Sequence, residues 1–256
     1  MIAYHQLDFP AGGESRTIRV YLPDSYGHQT TAYPVMYFFD GHNLFFDEEA
    51  TYGESWKLKD FLDQWSKDMI VVGLEPGREG HQRLEEYSPY DIGSGFFAGP
   101  LQGRGRETLD WLVQQVKPFI DQTYRTYPDR LNTGIAGSSM GGLMTLYALS
   151  HYNAFFSKGA ALSSALFGPI QQEVAQVPID SNTRLYMGWG TREMGQGPEA
   201  DLEPWSTSFA QSHLNLEASF QRSGAQTYLY PQIHGRHTES DWAQQVPLLM
   251  DFLWMR

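Results

Sequence analysis

The stretch Thr133-Gly134-Ile135-Ala136-Gly137-Ser138-Ser139-Met140-Gly141-Gly142 decides how the rest of the chain is read. A short run of small and apolar residues leads into Gly-x-Ser-x-Gly, and Leu143, Met144, Leu146, Tyr147 and Leu149 follow at helical spacing. This predicts strand, sharp turn, helix, with Ser139 at the apex. Side chains two positions to either side of the apex would collide, so Gly137 and Gly141 let strand and helix approach each other. The strained turn lifts the Ser139 hydroxyl clear of the sheet. Met140 becomes the first helical residue, and its N–H, having no intrahelical partner, is available to a developing oxyanion. Alone, such a pattern in a chain with 25 glycines is more often a glycine-rich turn with a capping serine. The flanking strand and helix, and the partners found below, favour Ser139 as a nucleophile.

Composition sets the frame for that reading. A chain of 256 residues with 41% hydrophobic content and 14 prolines fits one α/β domain over residues 1–256. No apolar run reaches the roughly 18 residues that span a bilayer, and Met1-Ile2-Ala3-Tyr4-His5 has no basic start before an apolar stretch. A soluble chain without an export signal is expected. Cysteine is absent, which excludes disulfides, thiolate metal sites and cysteine nucleophiles and suits the cytoplasm. A net charge of −12 opposes nucleic acid and anionic membrane as partners and favours a neutral small molecule. A homo-oligomer stays open.

Residues 2 to 9 and 15 to 22 flank Ala11-Gly12-Gly13 and predict an antiparallel hairpin at a sheet edge. Tyr33-Pro34-Val35-Met36-Tyr37-Phe38-Phe39 is an apolar run of the kind buried on both faces of a parallel sheet. It ends in Asp40-Gly41-His42-Asn43, a loop that in nucleophile-elbow enzymes supplies a second oxyanion N–H, with Gly41 and His42 as the donors. Asn43 and Ser138 flank the expected site and are taken as substrate-binding. Leu58, Phe61, Leu62 and Trp65 mark a helix over 55–66, and Met69 to Leu74 the next strand. Residues 75–105 lack a period and carry Arg83, Glu86, Tyr87, Tyr90, Phe96 and Phe97. They read as a substrate wall, with Tyr87 and Phe97 facing the ligand, or equally as a surface excursion packed by its own aromatics. A long helix from Leu109 to about Tyr124, interrupted at Pro118, leads into the elbow strand. Strands follow within 155–164, 184–189 and 227–230. A helix carrying Trp205, Phe209, Leu216 and Phe220 ends at Gly224, and a last helix packs Trp242, Val246, Leu249 and Leu253. The alternation predicts a mostly parallel sheet of about eight strands with helices on both faces, the site lying at the carboxyl ends of the strands.

A serine hydroxyl needs a base within hydrogen-bond reach and a third group to fix the base's tautomer. Among eight histidines, His234 and His237 follow the last strand, where the order serine, acid, histidine places the base. His237, nearer the final helix, is preferred. Glu193 follows the penultimate strand and is the expected acid, with Glu199, Asp201 and Glu203 as competitors. The pair His234-x-x-His237, with Glu239 nearby, also admits a metal reading, but nothing elsewhere supplies a clear third and fourth ligand. No metal or organic cofactor is required.

These residues resemble the esterase D-like putative esterases, relatives of feruloyl, acetyl-xylan and enterochelin esterases within the α/β-hydrolase fold. The resemblance runs through residues 33–37 and 40–45, Arg83-Leu84-Glu85-Glu86-Tyr87-Ser88-Pro89, 118–142, Gly190-Thr191-Arg192-Glu193 and His237-Thr238-Glu239-Ser240-Asp241-Trp242. It implies Ser139 as nucleophile, His237 as base and backbone donors from Gly41-His42 and Met140. The chain departs where His42 replaces a common Gln, and where Gly188 replaces a common acidic residue before the Gly-Thr pair. The expectation is a serine carboxylic-ester hydrolase without a large cap domain, taking short or aromatic acyl groups, with sugar esters among the candidates. Its rivals are an acyltransferase using the same triad and an inactive binding protein on the same fold.

Overall fold

The computed structural model describes residues 1–94, 99–193 and 197–255. Eight strands form one sheet in the order β1-β2-β4-β3-β5-β6-β7-β8: β1 Ile2–Phe9, β2 Glu14–Tyr21, β3 Val35–Phe39, β4 Ile70–Leu74, β5 Thr133–Ser138, β6 Lys158–Leu162, β7 Arg184–Gly190 and β8 Gln226–Gln232. The edge hairpin β1–β2 is antiparallel, β2 pairs antiparallel with β4, and the pairs from β4 through to β8 are parallel. Helices α1 Leu58–Leu62, α2 Gln82–Glu86, α3 Gly105–Trp111, α4 Lys117–Thr123, α5 Met140–His151, α6 Ile170–Val174, α7 Glu199–Leu202, α8 Ser208–Arg222 and α9 Glu239–Trp254 complete the order.

The apolar strands read as continuous runs because each feeds two cores. Val35, Tyr37 and Phe39 of β3 pack with α3, α4, α5, α6 and α8 on one face, while Met36 and Phe38 pack with α1 and α9 on the other. Period-two alternation thus divides a uniformly apolar strand between two helical layers. The α5 residues from Met140 to Ser150 are all buried. The α8 carboxyl end follows its glycine signal: Gly224 takes φ +84° and Ala225 N–H reaches back to the Phe220 carbonyl.

Local structure departs from expectation in three places. The long helix is broken by a π-helical turn, Leu112–Val116, ahead of Pro118, which sits in the first turn of α4 where a missing N–H is harmless. Trp205 lies before α8 and is 44% exposed. The 75–105 stretch is partly ordered by α2 and by an Ile92–Leu101 bridge, and the buried Arg16–Glu86 pair (2.6 Å) fastens it to β2. No separate cap domain is present among the described residues, and none of their helices is long and apolar enough to cross a membrane.

The glycines of the elbow are required by contact. A β-carbon at Gly137 would lie 2.7 Å from the Gly141 carbonyl carbon, and one at Gly141 2.9 Å from Phe39 Cβ. Backbone cannot yield as a flexible side-chain tip can. Gly137→Ala is therefore expected to cost about 1–3 kcal/mol or more of stability, read as a thermal midpoint lowered by about 2–4 °C for each kcal/mol. An unchanged midpoint would mean that strand and helix separate freely there.

Candidate active site

The carboxyl ends of β3, β5, β7 and β8 bring the candidate groups to one side of the sheet. Ser139, between β5 and α5, adopts φ 57° and ψ −118°, a region that a non-glycine residue occupies only under constraint. The constraint is visible: Ser139 N–H donates to the Leu162 carbonyl (2.9 Å), and the Ser139 carbonyl accepts from Ala165 N–H (2.9 Å) and Leu143 N–H (3.1 Å). The elbow is thereby tied to the end of β6.

His237 lies in the turn between β8 and α9, with Nδ1 3.0 Å from Glu193 Oε2. A carboxylate oxygen accepts, so Nδ1 carries a proton, and in the neutral imidazole Nε2 then keeps its lone pair. Glu193 is 2% exposed. Its other oxygen accepts from Ser163 Oγ–H (2.5 Å) and Gly190 N–H (2.6 Å), and Ser163 Oγ accepts from Trp242 Nε1–H (2.7 Å). Three donors thus serve a carboxylate that burial alone would penalise by several kcal/mol. The Trp242 ring also stands edge-on to His237, with centroids 4.9 Å apart. One tryptophan therefore braces the imidazole and, through Ser163, the acid.

The rival assignments are occupied elsewhere. Asp201 accepts from Thr191 Oγ1–H, from Arg192 and from His234, whose Nδ1 lies 2.8 Å away. Glu199 and Glu203 are exposed. His234 and His237 consequently face different carboxylates, and among the described residues no three histidine or acidic side chains converge as a metal site would. At Gly188 a β-carbon would meet Gln245 Oε1 at 1.9 Å. That amide accepts from Tyr186 O–H (3.0 Å) and donates to Gln232 (2.7 Å), so a glutamine network fills the space beside Gly188 that an acidic side chain would need.

Ser139, Met140, His237 and Glu193 share a cavity of about 620 Å³, the size of a small-molecule site. Its walls are mainly apolar, with Leu84, Ile92, Leu166, Phe167 and Phe209, and Arg83 adds a guanidinium. Arg83 grips Asp40 in two parallel bonds of 2.7 Å, and burial, which opposes its charge, is more than offset by that carboxylate. Asp40 itself has φ 57° and begins the turn Gly41–Asn43. Pairing of Phe38 with Ala136 sets this turn beside the elbow, and Gly41 fits because its α-carbon lies directly against the Gly73 backbone. Asn43 N–H closes the turn on the Asp40 carbonyl (2.9 Å), leaving the Gly41 and His42 N–H groups outside that bond. The His42 imidazole turns to Thr51 Oγ1 (2.8 Å), and burial lowers its pKa, so the ring is neutral.

Of the expected substrate-binding residues, Asn43, Tyr87 and Ser138 are not among the residues lining the cavity. Asn43 is buried, with Nδ2 donating to Glu239 Oε1 (3.0 Å) and Oδ1 accepting from Thr51 N–H (2.9 Å); its task is to hold the turn. Tyr87 is 1% exposed, donates to the Leu74 carbonyl and accepts from Asp40 N–H (3.0 Å), because burying an aromatic with both hydroxyl bonds met outweighs facing a ligand. Ser138 is buried in register with Leu162 at the end of β5, away from the cavity lining. Phe97 lies outside the described residues. The sequence reading missed Ser163. Its φ of +47° and its place on the acid are set by β6 meeting β7, and only its position at the end of a small-residue strand beside the elbow hints at them. The sequence places Trp242 in the core face of the last helix and at the end of a motif, and Arg83 in the 75–105 stretch, without assigning either a role at the acid or the turn.

A family model described as Putative esterase matches residues 10–251. The uncharacterized protein YbbA of Bacillus subtilis is 25% identical over 182 residues, which are 70% of this chain and 69% of YbbA. Esterase Rv1288 of Mycobacterium tuberculosis is 30% identical over 155 residues, 60% of this chain but 30% of that protein's length. Among solved structures, an IroE-like serine hydrolase from Shewanella oneidensis superposes with a TM-score of 0.71 at 20% identity, covering 99% of this chain and 79% of the other. The shared architecture is that of the α/β-hydrolases.

Proposed function

This chain belongs to the putative esterase family, and on this premise we propose that it is a serine esterase that cleaves short-chain or aromatic carboxylic esters through an acyl-enzyme on Ser139. The single observation that carries the reading is the hydrogen-bonded line from His237 Nδ1–H to the buried Glu193 beside the strained elbow serine in one cavity. His237 Nε2 takes the Ser139 proton as Oγ attacks the ester carbonyl carbon. The tetrahedral oxyanion receives the N–H of Met140 and one from the Gly41–His42 turn. Collapse breaks the bond to the alkoxy oxygen, and the alcohol leaves with the proton held by His237. Water then attacks the acyl-enzyme with His237 again as base, releasing the acid and restoring the Ser139 hydroxyl. Each step uses side chains and backbone of this chain alone.

The apolar walls of Leu84, Ile92, Phe167 and Phe209 support an acyl group that is short or aromatic, since burial of such a group is favoured by about 25 cal/mol per Å². The test is a p-nitrophenyl series from acetate to octanoate with a ferulate. Turnover is expected to be greatest for the short chains or the ferulate. Absence of turnover on every member by folded protein would overturn the esterase reading, and a steady rise to octanoate would overturn the acyl assignment.

Ser163 is a positioning residue in this scheme, because it acts on Glu193 and never on the ester. Removing a hydrogen bond to a charged group costs about 1.5–3 kcal/mol, so Ser163→Ala is expected to lower kcat about tenfold or more with KM little changed. A rise in KM at constant kcat would instead place Ser163 in substrate binding.

A further inference from the structure

At the far end of the sheet from Ser139, β6 and β7 begin with Lys158 and Arg184, and both line a hollow of about 300 Å³ together with Lys67. Asn132, Asn182 and Gln226 add amide groups, and the buried Trp254 forms part of the wall. None of the nine lining residues is acidic, against the trend of a chain with 30 acidic and 18 basic side chains. Among the described residues, the hydrogen-bond acceptors of the three cations are neutral. Lys67 Nζ donates to the Trp254 carbonyl (2.9 Å), Lys158 Nζ to the Leu131 carbonyl and Ser157 Oγ (3.2 Å), and Arg184 to the Phe252 and Leu253 carbonyls (3.4 and 3.3 Å).

Part of this arrangement caps α9. The carbonyls of a helix's last turn amount to about half a negative charge, so among the described residues they leave most of three full positive charges uncompensated. Lys158 registers the excess: burial and crowding by Arg184, Lys67 and Arg130 push its ammonium down to about 8, against a weaker pull from Asp129. The ammonium groups are held in place rather than splayed into solvent, since those of Lys158 and Lys67 lie 4.8 and 6.0 Å from the centre of the Trp254 ring.

We propose that this hollow binds a small oxyanion carrying two or more negative charges, a phosphate ester or a polycarboxylate, with Lys67, Lys158 and Arg184 as its cationic ligands and the three amides as neutral donors. The six residues of β5 separate the level of this site from that of Ser139 by about 20 Å. The inference is therefore independent of the esterase chemistry, and its test reads binding rather than turnover.

The probes are sodium pyrophosphate and sodium citrate, with sodium chloride at matched ionic strength as control, each added to the full chain during thermal unfolding. Pyrophosphate, citrate or both are expected to raise the midpoint by about 2–4 °C at a few times the dissociation constant, and chloride is not. A stronger response to pyrophosphate identifies a phosphorylated ligand, and a stronger response to citrate a polycarboxylate. Lys158→Met and Arg184→Met are each expected to weaken binding at least tenfold. The wild type gives a second readout that needs no variant. Acetic anhydride at pH 8 is expected to modify Lys158 ahead of other lysines, located by peptide mass spectrometry, and the binding anion to slow that modification at least fivefold. Failure of both anions to stabilise, stabilisation undiminished in the two variants, or acetylation of Lys158 that neither anion slows would each overturn the proposal.

Discussion

Ser139→Ala is expected to lower kcat/KM for a p-nitrophenyl ester by about 10⁴-fold or more, because nucleophile and base act as a unit and the remaining donors supply only the residual rate. The fold has little reason to change. Alanine meets the same positive φ at position 139 as serine does. The bonds that hold the elbow run through the Ser139 backbone to Leu162, Ala165 and Leu143, and survive the loss of Oγ. The thermal midpoint should therefore stay within about 1 °C while labelling by a fluorophosphonate disappears. Retention of more than a tenth of wild-type turnover would remove Ser139 from the reaction. A combined loss of turnover and several degrees of midpoint would show instead that the hydroxyl supports the elbow.

How much of this was legible follows from the range over which each signal acts. The elbow could be read because its requirements are local: Gly137 and Gly141 answer a collision within five residues, and the apolar period of α5 begins at once. The buried strands were legible from apolar or small-residue runs, the β1–β2 hairpin from two short segments around glycines, and the mostly parallel pairing from the intervening helical segments. The pairing of His237 with Glu193 was approachable because both follow strands that end on the same side, although the choice against Asp201 depended on which histidine each acid meets across 33 and 44 residues. Side-chain direction was not legible. Tyr87 lies in a stretch without a period, and only the structure shows that its ring meets Phe39 of β3 in the core, with centroids 4.9 Å apart, rather than a ligand. Asn43 and Glu239 are 196 residues apart, so no local pattern could reveal that the amide is already engaged. Ser163 was hidden for the same reason, since its two side-chain partners lie on β7's exit and on α9.

Glu193→Gln carries the second large effect, and its argument turns on a proton. The amide is nearly the shape of the carboxylate, so its oxygen can keep the bonds from Ser163 Oγ–H and Gly190 N–H. Its NH₂ group then faces His237 Nδ1, where the wild type has an acceptor 3.0 Å away. Two donors cannot share that contact, so the imidazole is driven to the tautomer protonated on Nε2, which cannot take the Ser139 proton. The loss expected in kcat is about 10³–10⁴-fold, the scale on which a wrongly set tautomer acts in a serine triad, with KM little altered because the apolar walls are untouched. Asp201→Asn is the matching control: it disturbs Thr191, Arg192 and His234 and leaves the His237 contact alone. Near-normal kcat in Glu193→Gln combined with a collapse in Asp201→Asn would move the acid to the neighbouring network. The opposite result would tie the rate to the carboxylate that Ser163 and Trp242 hold in place.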